Sequence, residues 1–415
     1  MLSGRGLQLA GRMAYFVILA HVLGPTGYGT FVACTALVAT MSPFTSWGTG
    51  DVLIKYVARD RKVLPAYLGN ALLVTVVWGL LLALLALLIR PLVLPASATA
   101  AMLAGVAIAD LIGLQVTEIC LHTLSAVEQL RRYTQLLLCS TALRLAAALL
   151  FAVFTTRAPQ QWVWFYAVSS GIGALIGVVA TLRWHGLPRI QRRLLMPSMR
   201  EGFHFSVSIA SQSIYNDIDK TMLARLSSVE ATAIYAAAYR FVEAAMLPIR
   251  SVAAVTYPEF FRQGAHGVTG TFGLARRICR RSFLYGIGTT IVLFVTAGLL
   301  PLVLGKAYGE SAAALRWLCP LPIVHSVRAF LTDTLTGANY QWQRSSLDIL
   351  TAVFNVLINL WIIRAYAWHG AAWSSLITDS LLLVLLYVLI RWHLRRERAG
   401  AAAPVSEALL AGGTD

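Results

Sequence analysis

The chain has 415 residues, of which 58% are hydrophobic and only 13% charged, with a formal net charge of +16. A soluble domain is about half apolar and about a quarter charged, so an ordinary soluble globule is excluded. The apolar residues come in runs long enough to cross a hydrocarbon core of roughly 30 Å, without the two-residue alternation of a β-barrel. The basic residues flank these runs instead of forming a soluble domain, which excludes nucleic acid as a partner and points to the lipid bilayer.

In chain order the pattern predicts about twelve spans: 6–23, 27–49, 64–89, 98–126, 133–155, 162–184, 203–225, 231–257, 283–304, 312–338, 346–365 and 370–392. Alternate loops hold the basic residues: 50–63, 127–132, 185–202, 258–282 and 339–345. Only Arg90, Arg157 and Lys306 fall in or at the loops between, with Arg364 at the outer end of span eleven. Cytoplasmic loops keep Lys and Arg, so both termini are expected inside, in agreement with Arg395, Arg396 and Arg398. No cleavable signal peptide is expected, since the first span lacks a small-residue cleavage site.

The fold expected is an all-α membrane protein with two six-helix lobes, 1–184 and 203–394. The segment 185–202 is a basic, amphipathic, cytoplasmic linker that contains Arg189-Ile-Gln-Arg-Arg-Leu-Leu-Met. The small, Ala/Gly-rich tail 395–415 is expected to be disordered. The two halves echo each other. Thr123-Leu124-Ser125-Ala126 ends span four and Thr334-Leu335-Thr336-Gly337 ends span ten. Pro43 and Pro248 lie in spans two and eight, where proline kinks a helix. Parallel repeats of this kind suggest lobes that rock around a midplane cavity.

Polar residues inside the spans carry the functional reading. Span seven places His204, Ser208, Ser211, Tyr215 and Asp219 on one face, with Asp217 and Lys220 beside them. A polar stripe cannot face lipid, where each unsatisfied group costs several kcal/mol. It is either an interhelical hydrogen-bond seam or a cavity lining. Span eight adds Tyr235, Tyr239, Arg240, Glu243 and Arg250, and span ten adds His325, Arg328, Thr332 and Thr336. Arg12 lies in span one, Arg144 in span five, Asp110 and Glu118 in span four, and Asp379 in span twelve. Arg225 and Arg316 sit near outer ends and can snorkel. The six central cations (Arg12, Arg144, Lys220, Arg240, Arg250, Arg328) would together cost roughly 15–20 kcal/mol in lipid. Some therefore pair with acids, as Arg240 can with Glu243 three residues on, and the rest face water. Such a cationic cavity suits an anionic cargo, and arginine suits phosphate.

No catalytic residues and no metal site are expected. The five cysteines are scattered without CxxC spacing, the eight histidines show no ligand spacing, and no GxxxxGK loop binds ATP. The expected outer loops are too short to hold a catalytic segment.

The segment Leu23-Gly24-Pro25-Thr26-Gly27-Tyr28-Gly29, continued by Trp47-Gly48-Thr49-Gly50-Asp51-Val52-Leu53, resembles the polysaccharide flippase family of the multidrug/oligosaccharidyl-lipid/polysaccharide exporters. Asp219-Lys220, then Ala233-Ile234-Tyr235 with Tyr239, then Tyr257-Pro258 resemble its second half. The resemblance spans 1–395 and implies a MATE-like fold in the bacterial inner membrane. It implies a transporter, not an enzyme, that flips undecaprenyl-pyrophosphate-linked oligosaccharide to the outer leaflet by alternating access, for O-antigen or exopolysaccharide assembly. Arg12, Lys220, Arg240, Arg250 and Arg328 would bind this substrate. Asp217, Asp219 and Glu243 would pair with them or couple transport to H⁺ or Na⁺, with no other cofactor. Glycan polymerase machinery is an expected partner. The alternatives are an ion-coupled small-molecule or drug exporter on the same fold, or a membrane enzyme of glycan assembly.

Overall fold

The computed structural model describes residues 2–154 and 158–401, apart from the side chains at 2–5, 208, 211, 212, 214–216 and 398–401. Arg157 and all of the expected tail beyond 401 lie outside the described residues, as do the side chains of Ser208, Ser211, Tyr215 and Arg398. All regular structure among the described residues is helical. The first half comprises α1 (Leu2–Met41), α2 (Thr49–Val57), α3 (Leu64–Val93), α4 (Ala100–Ala107), a π-helical stretch Ile108–Leu114, α5 (Gln115–Ala126), α6 (Leu130–Phe154) and α7 (Pro159–His185). It continues with α8 (Arg192–Leu226), α9 (Val229–Ala245), α10 (Leu247–Gly264), α11 (Gly267–Thr296), α12 (Leu300–Leu304), α13 (Ser311–Leu318), α14 (Leu321–Gly337) and α15 (Gln341–Ala401).

Two expected spans share α1, and two share α15. Gly24 breaks α1 with φ 64 and ψ 178, and Pro25 follows it. A residue before proline is pushed out of the helical region, and glycine tolerates the positive φ. In α15 the break falls at Ala367, with φ 50 and ψ −130. The expected loop 258–282 is instead mostly helix, because α10 runs to Gly264 and α11 starts at Gly267. Its arginines ride on the extension of α11 beyond the apolar run.

Seven helical segments among the described residues are long and apolar enough to cross a membrane, and two of them, Gly6–Phe44 and Gln341–Glu397, hold two expected spans each. Outside these segments fall α8, α10 and the 17-residue helices α9 and α14. These are expected spans seven, eight and ten, the ones that carry the polar stripes.

The chain forms two compact units. One contains Met1–Ala238, Ala297–Ala314 and Val356–Ala372; the other contains Tyr239–Thr296, Leu315–Asn355 and Trp373–Asp415. In the first unit α3 shows how a membrane helix sorts its residues. It buries Gly69, Asn70, Ala71, Thr75, Gly79, Ala83 and Ala86, and it exposes Leu80, Leu81, Leu84, Leu88 and Leu92. Small residues face protein so that backbones can approach, while leucines face lipid. In the second unit α11 packs along α14. One core there gathers Val268, Leu331, Leu335, Leu382, Leu386 and Ile390, and Phe260, Ala275 and Phe330 close another.

The echo between the halves has a matching backbone form. At the end of α5, Glu128 N donates to Ser125 O and Gln129 N to Leu124 O; at the end of α14, Asn339 N donates to Thr336 O and Tyr340 N to Leu335 O. Glu128 and Asn339 then adopt nearly the same left-handed conformation, φ 62 and φ 66. This is the hydrogen-bond pattern of a left-handed helix cap.

Trp47-Gly48-Thr49-Gly50 gains a physical reason within the first unit. A Cβ on Gly48 would lie 2.0 Å from the Gly202 carbonyl oxygen, and one on Gly202 would lie 2.3 Å from that of Trp47. The turn and α8 thus touch backbone to backbone. Trp47 stacks between Trp78 and Phe203, at 4.4 and 5.5 Å. Ser206 donates to the Pro43 carbonyl at 2.8 Å, across the same seam. Gly202→Ala should cost about 1–3 kcal/mol through overpacking, read as a lower Tm of the purified protein. Gly273→Ala, with no neighbour within 4 Å of the added atom, should leave Tm unchanged or raise it.

Candidate substrate site

The expected site residues fall in both compact units. In the first, Lys220 is 7% and Asp219 4% exposed. The Lys220 Nζ lies 2.7 Å from Asp217 Oδ1, one helical turn away. Asp219 accepts a hydrogen bond from the Lys220 backbone N–H at 2.7 Å and another from the Tyr235 hydroxyl of α9. Lys220 is therefore neutralised within its own helix, and Asp219 joins α8 to α9. Of the expected polar stripe, His204 is exposed and Asp219 buried. Arg12 is exposed on the first part of α1.

In the second unit, Arg240 Nη1 meets Glu243 Oε2 at 3.0 Å. Asp379, only 2% exposed, receives His325 at 3.0 Å and Arg328 at 3.6 Å. Arg250 differs from these. It is exposed on α10, and no carboxylate among the described residues pairs with it.

A further cluster went unjoined in the sequence. Tyr166 donates to Asp110 Oδ1 at 2.5 Å, and Arg144 stands over the Tyr166 ring at 5.5 Å. Asp110 sits in the π-helical stretch, a local unwinding frequent at functional sites. The available signal was one polar residue on each of three successive spans; the aromatic member hid among ordinary core rings. Tyr166 also closes an aromatic core around fully buried Trp162, with Phe31, Phe151 and Tyr15.

Polar ties hold the ends of α1 and α2 within the first unit. Thr26 donates to Glu230 at 2.8 Å, and Tyr308 donates to the Ala20 carbonyl at 3.1 Å. A Cβ on Gly29 would overlap the Val229 carbonyl. Toward the other membrane face, Lys55 pairs with Glu201, which also accepts from the Tyr56 hydroxyl at 3.0 Å. Hydrogen bonding to Lys55 pulls the Glu201 carboxyl below its ordinary range.

A helical, multi-span membrane transporter of MATE-like fold is the class these features define. The chain resembles an inward-facing multidrug resistance MATE family transporter of the MOP superfamily, with TM-score 0.74, 14% identity and 96% of each chain covered. It also resembles the lipid II flippase MurJ in its inward closed conformation, with TM-score 0.73, 10% identity, and 94% and 88% of the chains covered. Residues 6–263 match the family model described as "Polysaccharide biosynthesis protein", and the chain belongs to that family. A relative from Escherichia coli (strain K12), named "Putative O-antigen transporter", is 21% identical over 384 residues, 91% of each chain.

Two outcomes follow from the pairing. Lys220→Met should cost about 3 kcal/mol, because it strands buried Asp219 and half-buried Asp217; adding Asp217→Asn should restore part of the lost Tm. The depressed Glu201 pKa means that its contribution is complete above the ordinary glutamate value and is lost as pH falls through the lower, folded value. Hydrogen-exchange protection of α2, taken relative to the intrinsic rate at each pH, should therefore hold from neutral pH down to about 4.5 and fall only in stronger acid. In Glu201→Gln this acid step should vanish.

Proposed function

We propose that this transporter flips undecaprenyl-pyrophosphate-linked oligosaccharide from the inner to the outer leaflet, for O-antigen or exopolysaccharide assembly. The family match and the O-antigen relative support the glycan, and the cations on the expected spans support its pyrophosphate. Arg250 carries the reading furthest. A guanidinium on a spanning helix costs about 2.5–3.5 kcal/mol in lipid, and this one has no carboxylate partner among the described residues. A diphosphate supplies the missing bidentate acceptor. Arg12, Lys220, Arg240 and Arg328 add positive field, while Asp217, Asp219 and Glu243 keep their cations oriented. Exchange of those ion pairs for substrate offers a route to H⁺ or Na⁺ coupling.

In this reading the lobes 1–184 and 203–394, joined by 185–202, rock by alternating access. The prenyl chain stays in lipid. The Thr26–Glu230 and Tyr308–Ala20 ties form when the outer side is shut and part when it opens.

Purified protein in liposomes should translocate an undecaprenyl-pyrophosphate-linked glycan. No translocation under either an H⁺ or a Na⁺ gradient would refute the proposal. Arg250→Ala should lower the rate about tenfold or more, given the 1.5–3 kcal/mol typical of a hydrogen bond to a charged group, with unchanged protein level. A bifunctional crosslink between cysteines at positions 26 and 230 should stop translocation, and cleaving the linker should restore it.

A further inference from the structure

Within the first compact unit, at the face where the loop arginines and lysines collect, the start of α3 borders a cavity of about 310 Å³. Its lining includes Arg61, Lys62, Pro65, Gln129, Trp184 and His185. Arg132 stands at the rim in a fixed pose. Its Nη1 donates to Gln129 Oε1 at 2.8 Å, and its guanidinium lies 4.3 Å from the Trp184 ring centre. None of Arg61, Lys62 and Arg132 pairs with a carboxylate among the described residues. The nearby Asp60 is engaged with the Lys62 backbone N–H instead. His185 Nε2 is a buried atom and has no hydrogen-bond partner among the described residues.

The cavity is built before anything enters it. Arg189 N donates to the Pro65 carbonyl at 2.8 Å, and the Asn70 side chain exchanges two hydrogen bonds with the Gln191 backbone, at 3.0 and 2.9 Å. A Cβ on Gly69 would strike the Arg189 carbonyl. The linker is thereby stitched to α3, and the wall at Pro65 cannot drift.

Three cations and a half-buried imidazole around one cavity call for an anion with several acceptor oxygens. Arginine forks match phosphate. Apolar, exposed side chains lie close by in sequence: Leu130, at 45%, follows the lining residue Gln129, Leu187, at 77%, is two residues past His185, and Ile190, at 60%, follows Arg189, which is tied to Pro65. A free phosphate has no use for them, whereas acyl chains do. We propose that this cavity is a phosphate-group site filled by the headgroup of an anionic phospholipid of the inner leaflet, separate from the transported substrate. Basic pockets between spanning helices on the cytoplasmic side suit such headgroups.

Native mass spectrometry of the full-length protein tests this with three probes: dioleoyl phosphatidylglycerol, dioleoyl phosphatidylcholine and inorganic phosphate. The phosphatidylglycerol adduct should persist and the phosphatidylcholine adduct should not. Arg61→Gln/Lys62→Gln/Arg132→Gln should lower phosphatidylglycerol occupancy about tenfold, and Lys62→Arg should keep it. Should the triple variant melt early, the single variants decide, each expected to lower occupancy on its own. Three outcomes would overturn the proposal: equal retention of both lipids, wild-type occupancy in all the charge-removing variants, or full displacement of the lipid by equimolar phosphate. Transport is not the readout, so the result stands apart from the fate of the flippase reading.

Discussion

Hydrocarbon offers no hydrogen bonds and little solvation for charge, and the arrangement of this chain follows from that constraint. A soluble protein can leave an arginine on its surface at no cost. Here each intramembrane cation has to find an acid, a ring or water. Lys220 finds Asp217, Arg240 finds Glu243, Arg328 finds Asp379, and Arg144 finds Tyr166. The same constraint sorts α3, with small residues toward protein and leucines outward. It also makes backbone contacts such as Gly48 on Gly202 valuable, because close approach replaces a hydrophobic drive that lipid removes.

This pairing separates charges that hold the fold from charges free to act. Asp379 organises two basic residues of α14 from α15 and is nearly inaccessible. Its loss would be felt first as a stranded arginine. Arg250 pairs with no carboxylate among the described residues, which is why the proposed substrate site is centred on it. The basic residues of the inner face divide again. Lys55 clasps Glu201, whereas Arg61 and Lys62 line an open cavity and Arg132 stands beside it. A count of positive charge treats these alike; their surroundings do not.

Much of the architecture was legible in the residues. Gly24-Pro25 marked the break inside α1, since proline and the residue before it cannot continue a helix. The Thr123 and Thr334 segments marked equivalent helix ends, which share a left-handed cap. The polar stripes of spans seven, eight and ten set those helices apart from the others. Less legible was the reach of helices past the apolar runs, because a basic helix and a basic loop read alike in composition. The extension of α11 through Arg276 and Arg281 is the example.

Local chemistry, read in order along the chain, determined the membrane class, the orientation and the list of candidate cations. Hydropathy and loop charge act residue by residue and need no fold to be read. Pairs three residues apart on one helix, such as Arg240 with Glu243, can be read from spacing, but only tertiary structure decided which cation meets which acid across helices. Arg328 and Asp379 lie on different helices, as do Asp110, Arg144 and Tyr166, and no spacing rule links them. The cavity of Arg61, Gln129 and Trp184 arises in the same way, from three helix ends that packing alone brings together.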